Sequence, residues 1–298
     1  MQNPINKDMN RKDFIKKGIL GTGFLASSAA VGNIITNDID ELNRLEPMGF
    51  NHIPNPNSNL TENMVLHKAT TRGHADHGWL NTHHSFSFAN YYNPERMHFG
   101  VLRVLNDDVV SGNMGFPTHP HDNMEIISIP LSGDLEHKDS MGNVQVIKQN
   151  DIQVMSAGTG IQHSEYNKNA DKEVQFLQIW LFPNKKNVTP RYDQITLKPE
   201  NGKNKLQQIL SPSPNDEGVW IHQNAWFHLG KFDKESSMEY KIKAASNGVY
   251  AFLINGKAEI NGVKLEKRDG LGVWDTNNIS IKTYSNTEIL LMDVPMYL

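Results

Sequence analysis

The 298-residue sequence contains no cysteine, which excludes disulfides, thiolate metal sites, cysteine nucleophiles and a lipid-modified N-terminal cysteine together. Basic charge is not in excess: 29 Lys and Arg stand against 33 Asp and Glu, a formal net charge of −4. Nucleic-acid binding runs on clustered cations that displace counterions, so neither DNA nor RNA is expected as a partner. The chain also lacks an apolar run of the roughly 18 residues a membrane helix needs, so no stable membrane insertion is expected. Hydrophobic residues make up 38% of the chain with 22 Gly besides, which excludes disorder throughout. What the sequence does have is 13 His and 12 Met.

Residues 1–17 carry Lys7, Arg11, Lys12, Lys16 and Lys17, and Gly18–Val31 then run for 14 residues without a charge. A basic segment, a short apolar one and the small residues Ser28, Ala29 and Ala30 make the layout of a signal peptide cut after Ala30. Asn10–Lys16 resembles the twin-arginine export signal, with Lys12 in place of its second Arg, so residues 1–30 are expected to send a folded protein to the periplasm. The alternative is an amphipathic extension on a cytoplasmic protein. Residues 31–64 are polar and rich in Asn around Pro54 and Pro56, which reads as a linker.

Past residue 65 the chain is built of short β-branched or alternating runs, such as Phe99–Val104, Ile126–Ile129, Phe176–Phe182 and Val249–Ile254. Asn255-Gly256 and Asn261-Gly262 supply the positive-φ residues of tight hairpins. The fold class expected is all-β, in barrels or sandwiches. Proline clusters around residues 184–214, where a crossover divides residues 65–192 from residues 193–298.

Chemistry concentrates in His119-Pro120-His121 and, 42 residues after His121, His163-Ser164-Glu165. Side chains alternate across a strand, so each i, i+2 pair projects from one face, and two adjacent strands present four donors to one point. Three imidazoles and a carboxylate suit a divalent transition ion and leave positions open for water or substrate. A lone His-x-His is common on surface strands, but two such pairs around the turn Ala157–Gly160 point to a metal site. Parity puts Ile127, Ile129 and Leu131 on the same face. His52 and His67 read as linker or edge residues, and His137, His222 and His228, without partners at ligand spacing, as structural or solvated.

The stretch His119–Glu125 followed by Ser156–Glu165 resembles the two metal motifs of the pirin family, within the cupin superfamily. The similarity extends through Arg72–Leu80, His84–Tyr92, Arg103–Val109, Gln178–Trp180 and Pro190–Tyr192, all close to bacterial quercetinase-type pirins. The resemblance implies a bicupin of two β-barrels with the metal only in the N-terminal one, and the second half agrees, holding just His222 and His228. Many cupins place a carboxylate where Glu125 stands, and its parity points inward. Pirins use the Glu of the His-x-Glu pair instead, so the implied ligands are His119, His121, His163 and Glu165, with Glu125 beside them.

The function implied is a metal-dependent dioxygenase cleaving a flavonol such as quercetin with release of carbon monoxide. Its partners would be a small planar aromatic substrate and dioxygen, with Glu165 taking the proton of the substrate's 3-hydroxyl. Fe(II) is the ion implied; Mn, Co, Ni, Cu and Zn suit the same donors. Phe86, Phe88, Tyr91 and Tyr92 are candidate pocket walls together with Glu125, and His74, His77 and His84 candidate residues at its opening. A monomer is the family expectation. The alternative function is a non-enzymatic protein whose metal senses redox state and alters binding to a partner, as proposed for animal pirins.

Overall fold

A computed structural model of the protein describes residues 63–297. The leader and all but the last two residues of the linker read from the sequence lie outside the described residues, as does His52. Asn63 and Met64 belong to the body: Asn63 donates a hydrogen bond to the Trp274 carbonyl, and Met64 opens a strand.

Each half consists of one seven-stranded and one four-stranded sheet. In the first half the large sheet runs in the order Arg191–Thr196, Asp151–Ser156, Glu125–Ser132, Val174–Leu181, Leu102–Val110, Leu80–His84, Gly73–Asp76. Its small sheet runs Gly115–His121, Ile161–Asn167, Asp134–Asp139, Val144–Lys148. The second half repeats the plan, and the two facing sheets of each half make a cupin barrel, so the protein is a bicupin. Single-turn 3-10 helices at Ala69–Thr71 and Pro199–Asn201 are the helical elements among the described residues. None of these is long and apolar enough to cross a membrane.

The halves do not divide at one point of the chain. Strand Arg191–Thr196 pairs with Asp151–Ser156, so the first large sheet continues past the expected boundary at Tyr192. Strand Met64–His67 pairs with Gly270–Val273 and is the edge strand of the second half's sheet. His67 is therefore an edge-strand residue, but a buried one that shares a hydrogen bond of 2.9 Å with the Tyr250 hydroxyl.

The largest core lies between the two large sheets. Ile127, Ile129, Ile152, Val154, Leu177 and Ile179 of the first meet Phe227, Phe252, Leu290 and Met292 of the second. Ile127 and Ile129 thus face the other half rather than the barrel interior expected from parity. His121 and Ile127 lie in different sheets, joined by a turn with Asn123 at φ 44°, and alternation counted through a turn loses its meaning.

The interior of the first barrel is layered. Strand Leu102–Val110 points Val104, Asn106, Asp108 and Val110 inward, and strand Val174–Leu181 points Val174, Phe176, Gln178 and Trp180 inward. Apolar residues close both ends: Val104, Ile126, Met155 and Trp180 at one, Leu80, Val110, Leu135 and Phe176 at the other. Between them lies a polar belt of Thr82, His84, Asn106, Asp108, Ser128 and Gln178, all buried. Such groups are costly inside a barrel unless they bond one another or something held there.

Candidate metal centre

The small sheet of the first barrel presents three i, i+2 pairs on its inner face. His163 is in register with His119 on one neighbour and with Asp139 on the other, and Glu165 is in register with His137. Adjacent strands therefore place His119 and His121, His163 and Glu165, and His137 and Asp139 side by side. The strand Gly115–His121 is at the sheet edge, where Pro117 and Pro120 cost no internal ladder bond. Its register shifts across Pro117–Thr118, and the Pro117 carbonyl accepts the Nδ1–H of His119 at 2.7 Å. That bond leaves the Nε2 lone pair of His119 free. Gly115 permits the strands to close up here: a Cβ on it would lie 2.3 Å from the Glu165 carbonyl oxygen.

His119, His121 and His163 converge, each with one ring nitrogen within 4.8 Å of the others. Their ring centroids are 4.9 Å apart for His119 and His121, 4.4 Å for His119 and His163, and 4.9 Å for His121 and His163. Burial holds the pKa of all three below the ordinary imidazole value, further for His121 and His163, so the rings are neutral. His121 Nε2 and both nitrogens of His163 are buried without a hydrogen-bond partner. Neutral, unpaired imidazole nitrogens pointing together in a closed interior are what a divalent transition ion requires and otherwise carry a desolvation cost. The cluster fits a metal site.

Glu165 does not join that group of three. Its carboxylate accepts from Ser128 Oγ at 3.1 Å and from Gln178 Nε2 at 3.1 and 2.9 Å, and it groups instead with His137 and His163, again within 4.8 Å.

Two family models match the chain: Pirin over residues 65–181 and the quercetinase C-terminal cupin domain over residues 208–294. The sequence is 45% identical over 232 residues to the quercetin 2,3-dioxygenase of Escherichia coli, covering 78% of this chain and 99% of that one. The chain belongs to the pirin family. A pirin-like protein of Caulobacter vibrioides is 36% identical over 222 residues, 74% of this chain and 95% of the relative. Among solved structures, the bacterial pirin YhhW of Escherichia coli in complex with nickel(II) superposes with a TM-score of 0.74 at 43% identity, over 78% of this chain and 99% of that one.

Within this pirin the other expected site residues separate. Phe88 stands at the cluster's apolar wall, 5.5 Å from Trp180 and 5.3 Å from His84 by ring centroids. Tyr91 stacks on His84 at 6.5 Å, over Gly73, where a Cβ would lie 2.3 Å from the ring. Phe86 is placed elsewhere: it is in the core between the halves, against His67 and Tyr250. The chain bends at residues 85–86, so the alternation that would align Phe86 with Phe88 is broken. Tyr92 is 70% exposed. Glu125 faces away from the cluster with Ile127, accepting from Ser156 Oγ at 2.7 Å, and burial raises its pKa to about 7. It is not a pocket residue, for the same reason that parity failed for Ile127.

His84 is buried, donating its Nδ1–H to Asn106 Oδ1 at 2.8 Å, whereas His74 and His77 are exposed and His74 stacks on His83. His222 packs on Trp220, and His228 lies beside the Tyr240 hydroxyl in the second barrel, both remote from a ligand pair. Two residues escaped the sequence reading. Trp180 sets its ring edge-on to His121 at 4.9 Å, and its place beside Gln178 on an inward strand was the available signal. His137 has its partner at ligand spacing after all, in Asp139.

Proposed function

We propose that the chain is a metal-dependent dioxygenase of the quercetin 2,3-dioxygenase type, taking a flavonol and dioxygen to a ring-opened ester and carbon monoxide. The observation that carries this is the set of three converging, buried imidazoles beside Glu165, with His121 and His163 holding unpaired nitrogens, in a chain 45% identical to a protein of that name over 78% of its own length and 99% of the relative's. Both oxygen atoms enter the organic product, and one ring carbon leaves as carbon monoxide.

His119, His121 and His163 would hold the ion with Glu165 within reach, and Fe(II) is the ion we favour from the family resemblance. When bound, the ion supplies Lewis acidity that lowers the pKa of the substrate hydroxyl and opens the way to dioxygen chemistry. Glu165 accepts the hydroxyl proton, and the donors Ser128 and Gln178 aim its carboxylate. Phe88, Tyr91 and Trp180 supply flat apolar surface against which a planar ring stacks, and they exclude water from the reacting atoms. His84 and Asn106 extend the polar belt under that wall.

The test is oxygen-dependent loss of quercetin absorbance with carbon monoxide trapped, using the full chain loaded anaerobically with Fe(II). One carbon monoxide per quercetin consumed, lost in His163→Ala, is expected; a fully loaded protein without turnover contradicts the reading. Export belongs to the same proposal. A mature N-terminus near Val31 supports it, and an intact Met1 on soluble cytoplasmic protein contradicts it.

A further inference from the structure

We propose that His84 reads a hydroxyl group of the substrate remote from the reacting one, so that the site selects flavonols carrying several hydroxyls over those carrying one. The proposal rests on the reading of the site as flavonol-cleaving and names what it demands of the part of the substrate that does not react.

A single register row crosses the inner face of the first large sheet. It runs Gln153, Ser128, Gln178, Asn106, His84, each paired with the next on adjacent strands. All five are polar and buried. The row divides in two. Ser128 and Gln178 hold Glu165, whereas Asn106 and His84 bond each other and leave Glu165 alone. Past His84 the row reaches Gly73, where the Tyr91 ring occupies the place of a side chain.

His84 presents an acceptor. Asn106 Oδ1 takes its Nδ1–H at 2.8 Å and Thr82 Oγ1 lies 3.5 Å from the same nitrogen, so the lone pair is on Nε2, which no group of the described residues bonds. Burial lowers the pKa of the ring to about 4, so it stays neutral at physiological pH. Gln153 Oε1 and Gln178 Oε1 of the same row are buried acceptors without a donor, and Trp180 Nε1 is a buried donor without an acceptor. Such atoms carry a desolvation cost until something pairs them. A ligand with several hydroxyl groups and a carbonyl oxygen supplies what they lack.

An aromatic path joins His84 to the metal cluster. By ring centroids Trp180 is 4.9 Å from His121, Phe88 is 5.5 Å from Trp180, and His84 is 5.3 Å from Phe88. His84 also stands two strands from Gln178, about 10 Å at the usual strand spacing. A planar two-ring system lying along that path with its reacting hydroxyl at Glu165 brings a hydroxyl of its far ring to His84 Nε2. A site built to bond a substrate hydroxyl discriminates against the analogue without it, because its own polar group is then left unpaired.

The experiment measures binding of quercetin and of 3-hydroxyflavone, which has the reacting hydroxyl alone, by absorbance titration of the metal-loaded full chain without dioxygen. Wild type, His84→Leu and His84→Gln are compared. The wild type is expected to bind quercetin about tenfold or more tighter than 3-hydroxyflavone. His84→Leu is expected to lose most of that preference by weakening quercetin alone, and His84→Gln, whose side-chain oxygen can replace the Nε2 acceptor, to keep it. A wild type without the preference overturns the proposal, as does a His84→Leu variant that weakens both ligands alike or neither. Turnover separates this from the reaction itself. If the expected binding pattern comes without carbon monoxide release, the dioxygenase reading falls and the selection by His84 stands; if turnover is normal and the preference is absent, the reverse holds. A wild type that binds neither ligand overturns both.

Discussion

His119 and His163 stand directly opposite each other on adjacent antiparallel strands, with ring centroids 4.4 Å apart. Strand spacing alone thus brings two ligand-type side chains together, and the neighbouring i+2 residue His121 completes the set. His163 is central, since every grouping of donors in the cluster includes it. His163→Ala is expected to cut Ni(II) affinity by more than about 100-fold, since even a supporting partner of a ligand is worth roughly 10–100-fold. Calorimetric titration of the metal-free protein checks this, and retained affinity would move the site elsewhere.

Gln178 donates to both oxygens of Glu165 from the opposite sheet. In Gln178→Leu the carboxylate keeps only Ser128, and a buried acceptor is left short of donors. The metal-free protein is expected to lose roughly 1–3 kcal/mol of stability in urea unfolding. A change under about 0.5 kcal/mol, the size ordinary at surface positions, would mean that the belt does not depend on this contact.

Asp107 ties the halves of the molecule together. It accepts from Arg72 at 3.2 Å and from Arg268 of the second half at 2.8 Å, with all three side chains nearly closed to solvent. Removing the carboxylate leaves two buried guanidinium groups without their anion, and Asp107→Asn is expected to cost on the order of 3–5 kcal/mol. Thermal and urea unfolding of the variant measure it.

Asp108 lies in the polar belt, and burial raises its pKa from 3.8 to about 7, opposed by a hydrogen bond from Thr82. Below about pH 3 the carboxyl is neutral in both folded and unfolded chains. As pH rises from about 3 to 7 the unfolded chain ionises first, so this group removes stability progressively across that window and little further above it. Asp108→Asn is expected to match the wild type near pH 3 and to exceed it by on the order of 4 kcal/mol at pH 8. Parallel denaturation curves for both proteins across the window would contradict the assignment.

How far the sequence disclosed this site depends on where alternation applies. Within one strand it held: His119 with His121 and His163 with Glu165 share faces as i, i+2 pairs must. Across turns it did not, and Glu125, Ile127 and Phe86 face the other half because each lies beyond a bend from the residue used to count. The strand Leu102–Val110 shows little polar alternation, since the core between the halves covers its outer face and the belt lies within. The repeated hairpin strands of the second half were legible from their turns, but the pairing of Met64–His67 with Gly270–Val273 is a contact across most of the chain that no local pattern encodes. The pair His137 and Asp139 was legible in principle. Counting only His and Glu at i, i+2 leaves His137 without a partner, whereas Asp139 stands at that spacing and also closes the turn.

The most direct measurement titrates Fe(II) into the metal-free full chain under dioxygen and follows carbon monoxide release from quercetin together with bound iron. The account expects turnover to rise in proportion to bound iron, to level off at about one ion per chain, the stoichiometry of one three-histidine site, and to vanish in His163→Ala. Turnover that ignores bound iron, or that survives loss of His163, would contradict it.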